Sequence, residues 1–554
     1  MTEEEVKDSA PKDATDDIRT CRADQDRQTG TTEKDEHKIQ ATATAATSKV
    51  TNESDKPYSA FSGRMKFLIV FMTGCATFFS PLSGQIYYPV LPILTGAYNL
   101  SQSAINVSIT TYMIFQGLAP SFLGTFSDSS GRRLGYILAF TIYTAANIGL
   151  ALQSNYAALL ILRCLQSAGS SGTVAFGYGV IADIATTAER GKYLGPMMAC
   201  ILTAPAFGPT IGGLLTEYLG WRAVFWFLTI ISGAYLVLYI IFVPETQRNI
   251  VDDGSIVPQQ WWRQSVVQHL AARRRLKSLG ADEREAYLAR QEELARKQQE
   301  IKIRFPNPLN SFVILTNPDA FCIILYMGLA MFANMVLMTS TPTAFPGLYG
   351  LNTLQVGLCF LPLGVGAAIG AIINGRVLDF NYRRIAQRLG FAVDRKKGDD
   401  LTNFPIETAR LQSVFFAQTL QVAAYLSYGW VLDRHVHLAA PLVIQFIIGF
   451  CLVIVSNSLS TLLADIYPKN VSTASAASNL FRCLLGAVGA AVVDKMLSGM
   501  GMSWAFMFVG LMLVAATSLI VIELKWGMGW RQKRWREAAE KSAKNDVEKG
   551  AVKK

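Results

Sequence analysis

Two arginines stand where the sequence is otherwise apolar. Arg163 lies in Leu162-Arg163-Cys164-Leu165-Gln166-Ser167-Ala168-Gly169, and Arg482 in Asn479-Leu480-Phe481-Arg482. A guanidinium stays charged at any relevant pH, and its planar fork donates two parallel hydrogen bonds to a carboxylate. An ionised side chain near a bilayer centre costs about 2.5–3.5 kcal/mol on insertion scales, so both are expected to face an internal cavity rather than lipid. The other reading, a structural arginine bonded to helix carbonyls or a polar neighbour, stays open for each. Asn106, Gln116, Gln166, Asn334, Gln445, Asn457 and Asn479 share the same runs. Of these, Gln166, Asn334, Gln445 and Asn479 join the arginines as candidate substrate-binding residues, although any one of them serves equally as a helix-packing contact.

The acids are placed differently. Asp183, Glu217, Asp379, Asp465, Asp494 and Glu523 fall at expected helix ends, leaving no Asp, Glu or His at a predicted midplane. Pumps for cationic drugs need a buried carboxylate, so this pattern favours anionic or neutral substrates. The 8 cysteines are scattered without a C-x-x-C pair and read as packing residues, so no metal or cofactor is expected. No nucleophile–base pair and no G-x-x-x-x-G-K-[ST] loop is present, which argues against an enzyme and against ATP-driven transport.

The elements that position these residues are membrane helices. With 51% hydrophobic and 17% charged residues and a mean hydropathy of +0.27, composition points to a membrane protein. Apolar runs of about 20 residues, long enough to cross the hydrocarbon, fall at roughly 66–92, 103–125, 134–152, 157–182, 194–216 and 221–243. They resume at roughly 319–345, 354–378, 412–432, 438–463, 472–497 and 503–524. The fold expected is all-α, with twelve transmembrane helices in two six-helix halves, residues 65–243 and 319–525. Between them lies a 244–318 loop, and flanking them are a polar 1–64 tail expected to be disordered and a basic 526–554 tail. Lys and Arg concentrate in loops on one side, with Arg222 and Arg434 as exceptions, so the positive-inside rule puts both termini and the central loop in the cytosol. The net charge of +10 is thereby explained without nucleic acid. In the central loop, Arg273-Arg274-Arg275 and the charged stretch Asp282 to Arg304 read as a solvated helix near anionic headgroups.

A repeat then appears. The second span ends in Gly124-Thr125-Phe126-Ser127-Asp128-Ser129-Ser130-Gly131-Arg132-Arg133, and the eighth in Gly375-Arg376-Val377-Leu378-Asp379-Phe380-Asn381-Tyr382-Arg383-Arg384. Each carries Gly, Asp four later and then Arg-Arg, as in a duplicated unit. The first resembles the loop signature of the major facilitator superfamily; Ser129 and Tyr382 depart from that pattern. The fifth span holds Pro205-Ala206-Phe207-Gly208-Pro209-Thr210-Ile211-Gly212-Gly213, similar to the Gly-Pro-x-x-Gly-Gly string of drug:proton antiporters. Further strings are Ser80-Pro81-Leu82-Ser83 with Ile86-Tyr87 and Pro89, Pro244-Glu245-Thr246, Phe404-Pro405-Ile406-Glu407-Thr408-Ala409-Arg410, and Trp526-Gly527-Met528-Gly529-Trp530-Arg531. Together they resemble the fungal 12-spanner drug:proton antiporters, in the branch that includes citrate exporters and secondary-metabolite efflux pumps.

The resemblance implies a gating set: Gly124, Asp128, Gly131 and Arg132 as a latch, Gly208, Pro209, Gly212 and Gly213 in a bending helix, and Asp379 and Arg383 in the second copy. It implies a monomeric secondary carrier in the plasma membrane, coupled to protons and exporting a small organic compound. A dedicated citrate or carboxylate exporter is the alternative, and a transport-inactive nutrient receptor a more remote one. Asp183, Asp465 or the substrate's own ionisation are the candidates for carrying the proton.

Overall fold

The computed structural model describes residues 59–186, 189–254, 258, 260–278, 280, 313–389, 404–468 and 471–552. The 1–58 part of the N-terminal tail and the Asp282 to Arg304 stretch lie outside the described residues. The first half comprises α1 (Gly63–Gln85), α2 (Leu91–Tyr98), α3 (Gln102–Ser130), α4 (Arg132–Leu152), α5 (Tyr156–Ile184), α6 (Arg190–Leu219) and α7 (Arg222–Phe242). Two short helices follow, α8 (Arg248–Val251) and α9 (Val266–Ser278). The second half comprises α10 (Pro318–Tyr349), α11 (Thr353–Leu358), α12 (Leu361–Arg388), α13 (Ile406–Asp433), α14 (Ala439–Ile466) and α15 (Val471–Val552).

Local chemistry sets the helix ends. The hydroxyls of Ser62 and Ser101 accept the backbone N–H three residues on, and Asn155 accepts that of Ala157, each satisfying a donor left orphaned at a helix start. The first span does not run unbroken as expected. It stops at Gln85 and turns through a 3-10 segment at Tyr88–Val90 before α2, because Pro89 and Pro92 remove backbone donors there. In α15, Gly501 takes a φ of 77°, breaking the helix into two spans. Beyond them α15 continues through the segment expected as a basic tail, remaining helical to Val552.

Eight helical stretches are long and apolar enough to cross a membrane, the last of them the double-span α15. Helices α3, α5 and α13, of 29, 29 and 28 residues, are long enough but less apolar. They bury Asn106 and Ser108, Arg163 and Gln166, and Gln418 and Gln421 respectively. Among the described residues this makes twelve spans, six in each half.

The chain enters and leaves the bundle at one end, called here the terminal end, and the apolar core is distributed unequally along the axis. At the far end one cluster draws on both halves, from Ile86, Met113 and Phe225 to Val336, Phe360 and Phe506. Toward the terminal end the core divides. One cluster belongs to the first half alone, around Phe79, Tyr136, Phe140 and Tyr235, and another to the second half alone, around Tyr326, Leu411, Val455 and Leu463. Hydrogen bonds joining the halves lie at the far end or mid-depth: Ser103 to Asp494 at 2.5 Å, Glu217 accepting the Thr353 N–H at 3.1 Å, and Thr110 to the Ala487 carbonyl at 3.3 Å. The halves are thus sealed together at the far end.

The glycines of α6 make that seal possible. A Cβ on Gly213 would stand 2.7 Å from the Thr353 carbonyl, and one on Gly357 would stand 2.5 Å from that of Pro209. Small residues let the backbones approach where no hydrophobic force distinguishes protein from lipid.

At the terminal end the first half is tied by two reciprocal helix caps. Glu245 is buried, and its carboxylate accepts the N–H groups of Arg132, Arg133, Thr246 and Gln247, two of them the orphaned donors at the start of α4. Burial pushes this carboxyl above the ordinary glutamate range, while the four N–H groups pull it down. In return, the buried Arg133 guanidinium donates to the Tyr239, Ile240 and Val243 carbonyls that end α7. Gly131 stands between the caps with φ 115°, and a Cβ there would collide with Glu245.

Two outcomes follow. Gly357→Val should pry α11 from α6, and a Thr353→Cys reporter in that background should react faster with a membrane-impermeant thiol reagent than in the parent. Glu245→Ala should cost about 2 kcal/mol or more by leaving buried N–H groups unpaired, seen as a lower melting temperature in detergent without loss of helical circular dichroism.

Candidate transport site

Arg163 sits two helical turns from the far end of α5 and is 1% exposed. Its guanidinium carbon lies 4.1 Å from the centre of the Tyr87 ring and 4.2 Å from that of Tyr112. Such ring faces attract a desolvated cation. Nη1 donates to Gln166 Oε1 at 2.6 Å, Gln166 donates on to Asn147 at 2.7 Å, and Asn147 to the Tyr143 carbonyl at 2.8 Å. Arg163 Nε has no acceptor. Among the described residues, no Asp or Glu pairs with Arg163. The site is a buried cation held by neutral partners, with hydrogen-bonding capacity to spare.

Arg482 lies about three turns from the terminal end of α15 and is half-buried. Among the described residues it too has no carboxylate partner. Its electrostatic neighbour is Tyr178, about four turns along α5 from Arg163 and 48% exposed. The two arginines are therefore not brought into one cluster in this state. They mark two depths in the bundle, Arg163 among first-half residues.

The polar candidates divide. Gln166 is the direct partner of Arg163. Asn479 donates to the Gln116 carbonyl at 3.3 Å, a contact between the halves. Gln445 donates to the Tyr428 hydroxyl at 2.8 Å and leaves its own oxygen unpaired. Asn334 Oδ1 is likewise unpaired and buried. Two residues that sequence reasoning passed over join them: both amide atoms of Gln421 and the Tyr425 hydroxyl are buried without partners. Sequence reasoning also passed over Tyr112 and Tyr143 beside Arg163, whose hydroxyls are bonded to the Ser80 carbonyl and the Ser83 hydroxyl. Their only signal was polar hydrogen-bonding capacity inside apolar runs, which a tyrosine in a packed core shares.

Of the gating set, Arg132 pairs with Asp128 and, at 3.1 Å, with Asp183. The Asp128 side chain is 62% exposed and its pair lies within its own half, so the latch loop does not use it to reach across in this state. Nothing fills the space beside Gly124. Gly208 and Gly212 pack on Gln85 and Ile86 of the first span, whereas Pro209 and Gly213 meet α11. The second copy of the loop behaves differently. Asp379 and Arg383 are exposed, and among the described residues they form no ion pair, because Tyr382 stands where the first copy has Gly131 and α12 continues helically to Arg388. Here Glu407 and Arg531 make the buried pair instead.

Comparison with known proteins follows the same lines. Residues 73–490 match the Major Facilitator Superfamily. The chain is 41% identical over 487 residues to MFS-type transporter phiD of a fungal species, covering 88% of this chain and 72% of that one. It is 38% identical over 493 residues to MFS-type transporter tstD of Talaromyces stipitatus, covering 89% and 88%. It is 34% identical over 498 residues to Citrate exporter 1 of Aspergillus niger, covering 88% and 91%. Among solved structures, the xylose transporter XylE of E. coli superposes with a TM-score of 0.55 at 16% identity, covering 84% of this chain and 98% of that one. The human transporter MFSD10 gives 0.52, also at 16%, covering 82% and 99%. Twelve helices in two halves, a seal built on close helix contacts and these similarities agree: the chain belongs to the major facilitator superfamily and is a multi-pass membrane transporter.

Proposed function

We propose that this transporter exports small organic anions across the plasma membrane, both termini in the cytosol, by alternating access coupled to protons. The observation that carries the reading is Arg163: a fully buried guanidinium with no carboxylate, lined by two tyrosine faces and keeping an unused Nε donor. A resident acid would neutralise the site; its absence leaves a cation for which a substrate carboxylate is the natural partner. The unpaired oxygens of Asn334 and Gln445, with Gln421 and Tyr425, supply neutral hydrogen-bonding groups in the opposite half. Arg482, half-buried near the terminal end, would meet an anion entering from the cytosol before Arg163 does. A carboxylate such as citrate fits this chemistry, and the likeness to a protein named as a citrate exporter supports that narrower reading. Asp183 and Asp465 are held in ion pairs with Arg132 and Arg410, so the coupling proton is assigned to neither.

In proteoliposomes, citrate and aromatic acids should be transported and cationic drugs should not. Arg163→Ala should lower kcat/KM for the anion at least about thirtyfold, corresponding to about 2 kcal/mol, and Arg163→Lys should recover only part, because a point charge lacks the fork. Transport of cations by the parent, or unaltered anion transport by Arg163→Ala with normal folding, would refute the anion site. Removing one ring face with Tyr112→Leu should weaken anion binding roughly threefold to thirtyfold, as expected for a desolvated cation–π contact, measured as a rise in KM.

A further inference from the structure

The terminal end of the second half holds a buried charge cluster that the anion pathway does not use. Asp319 begins α10, Glu407 begins α13, and Glu523 and Arg531 lie on α15; all four are at most 2% exposed. Arg534 completes the group. Arg531 grips Glu407 with both prongs, at 2.8 and 3.2 Å, and also donates to the Phe404 carbonyl at 2.8 Å. Arg534 pairs with Asp319 at 2.5 Å, and the Tyr467 hydroxyl bridges them at 2.9 and 2.8 Å. On the neighbouring helix end, Asp465 is occupied by Arg410 at 2.9 Å. Both guanidiniums are thus matched one to one with carboxylates.

Glu523 is the third carboxyl, and among the described residues neither of its oxygens has a hydrogen-bond partner. It faces Asp319 and Cys322 from α10, Glu407 from α13, Tyr467 just beyond α14, and Arg531 and Arg534 from its own helix. The space is set by Gly527, where a Cβ would stand 2.5 Å from Glu523 Oε1 and 3.3 Å from Glu407 Cγ. An ionised carboxylate there would be a buried anion with no donor, beside two like charges whose counterions are already committed. A proton removes that conflict.

We propose that Glu523 is a proton-binding site, neutral while α15 is strapped across the ends of α10 and α13, and that loss of its proton to water at this end loosens the strap. The new anion would compete with Asp319 and Glu407 for Arg531 and Arg534, the two residues that fasten α15. The site shares no residue with the Arg163 cage, so it stands or falls independently of the substrate.

Infrared spectra of the purified protein in lipid, titrated from about pH 6 to about pH 10, test it without substrate. The parent should show a protonated-carboxyl carbonyl band at neutral pH that bleaches as pH rises, and Glu523→Gln should lack it. In the same samples, proteolysis of the segment after Arg531 should quicken at least about threefold as the band bleaches, tracking the opened population. Glu523→Gln should stay protected throughout. A parent without the band at neutral pH, a band that survives in Glu523→Gln, or parent cleavage that does not follow the bleaching would each overturn the proposal. The parent's spectrum and cleavage alone decide the matter if the variant does not fold.

Discussion

The two halves share an apolar core at one end only. In a bilayer, lipid tails are as apolar as leucine, so nothing but close packing and buried hydrogen bonds holds six helices against six others. This chain concentrates both at the far end, where Gly213 and Gly357 let backbones nearly touch and where Ser103, Glu217 and Thr110 bond across. Toward the terminal end each half keeps its own core and its own polar clasps. The alternating access proposed above would need that division: a half whose terminal end depended on its neighbour could not part from it.

The clasps show one task met differently in the two halves. In the first half, Glu245 and Arg133 cap each other's helices around the glycine at 131. In the second, tyrosine at 382 keeps the helix going, and a buried acid and arginine bind each other directly, Glu407 with Arg531, residues far from the repeat. Each half uses a buried carboxylate and a guanidinium to fasten helix ends, through different residues.

Span number, span order and the four residues shared by the two loop copies, Gly, Asp and Arg-Arg, were legible because apolar length and glycine or charge spacing are local properties of a chain. Pairing was not. The strings at 404–410 and 526–531 looked like separate signatures, yet Arg531 binds Glu407 and the Phe404 carbonyl, closing one on the other across more than a hundred residues. Arg163 stood out as a charge in an apolar run, but its tyrosine lining did not, since Tyr87 lies in the turn after α1 and Tyr112 on α3. Counting residues into each span puts both Arg163 and Arg482 toward the bilayer centre. The helices run in opposite directions and are entered from opposite ends, so similar counts land at different levels.

Helices α3, α5 and α13 carry too many amides, hydroxyls and charges to rest comfortably in lipid by themselves. During synthesis each emerges into the bilayer before all its partners exist. The consequence is one of biogenesis: these three spans must be chaperoned at the insertion machinery, or wait at the interface, until more apolar neighbours such as α4, α10 and α14 shield them. A substitution in one of those neighbours, touching neither ligand nor gate, could therefore act by stranding a polar helix outside the membrane and sending the chain to degradation.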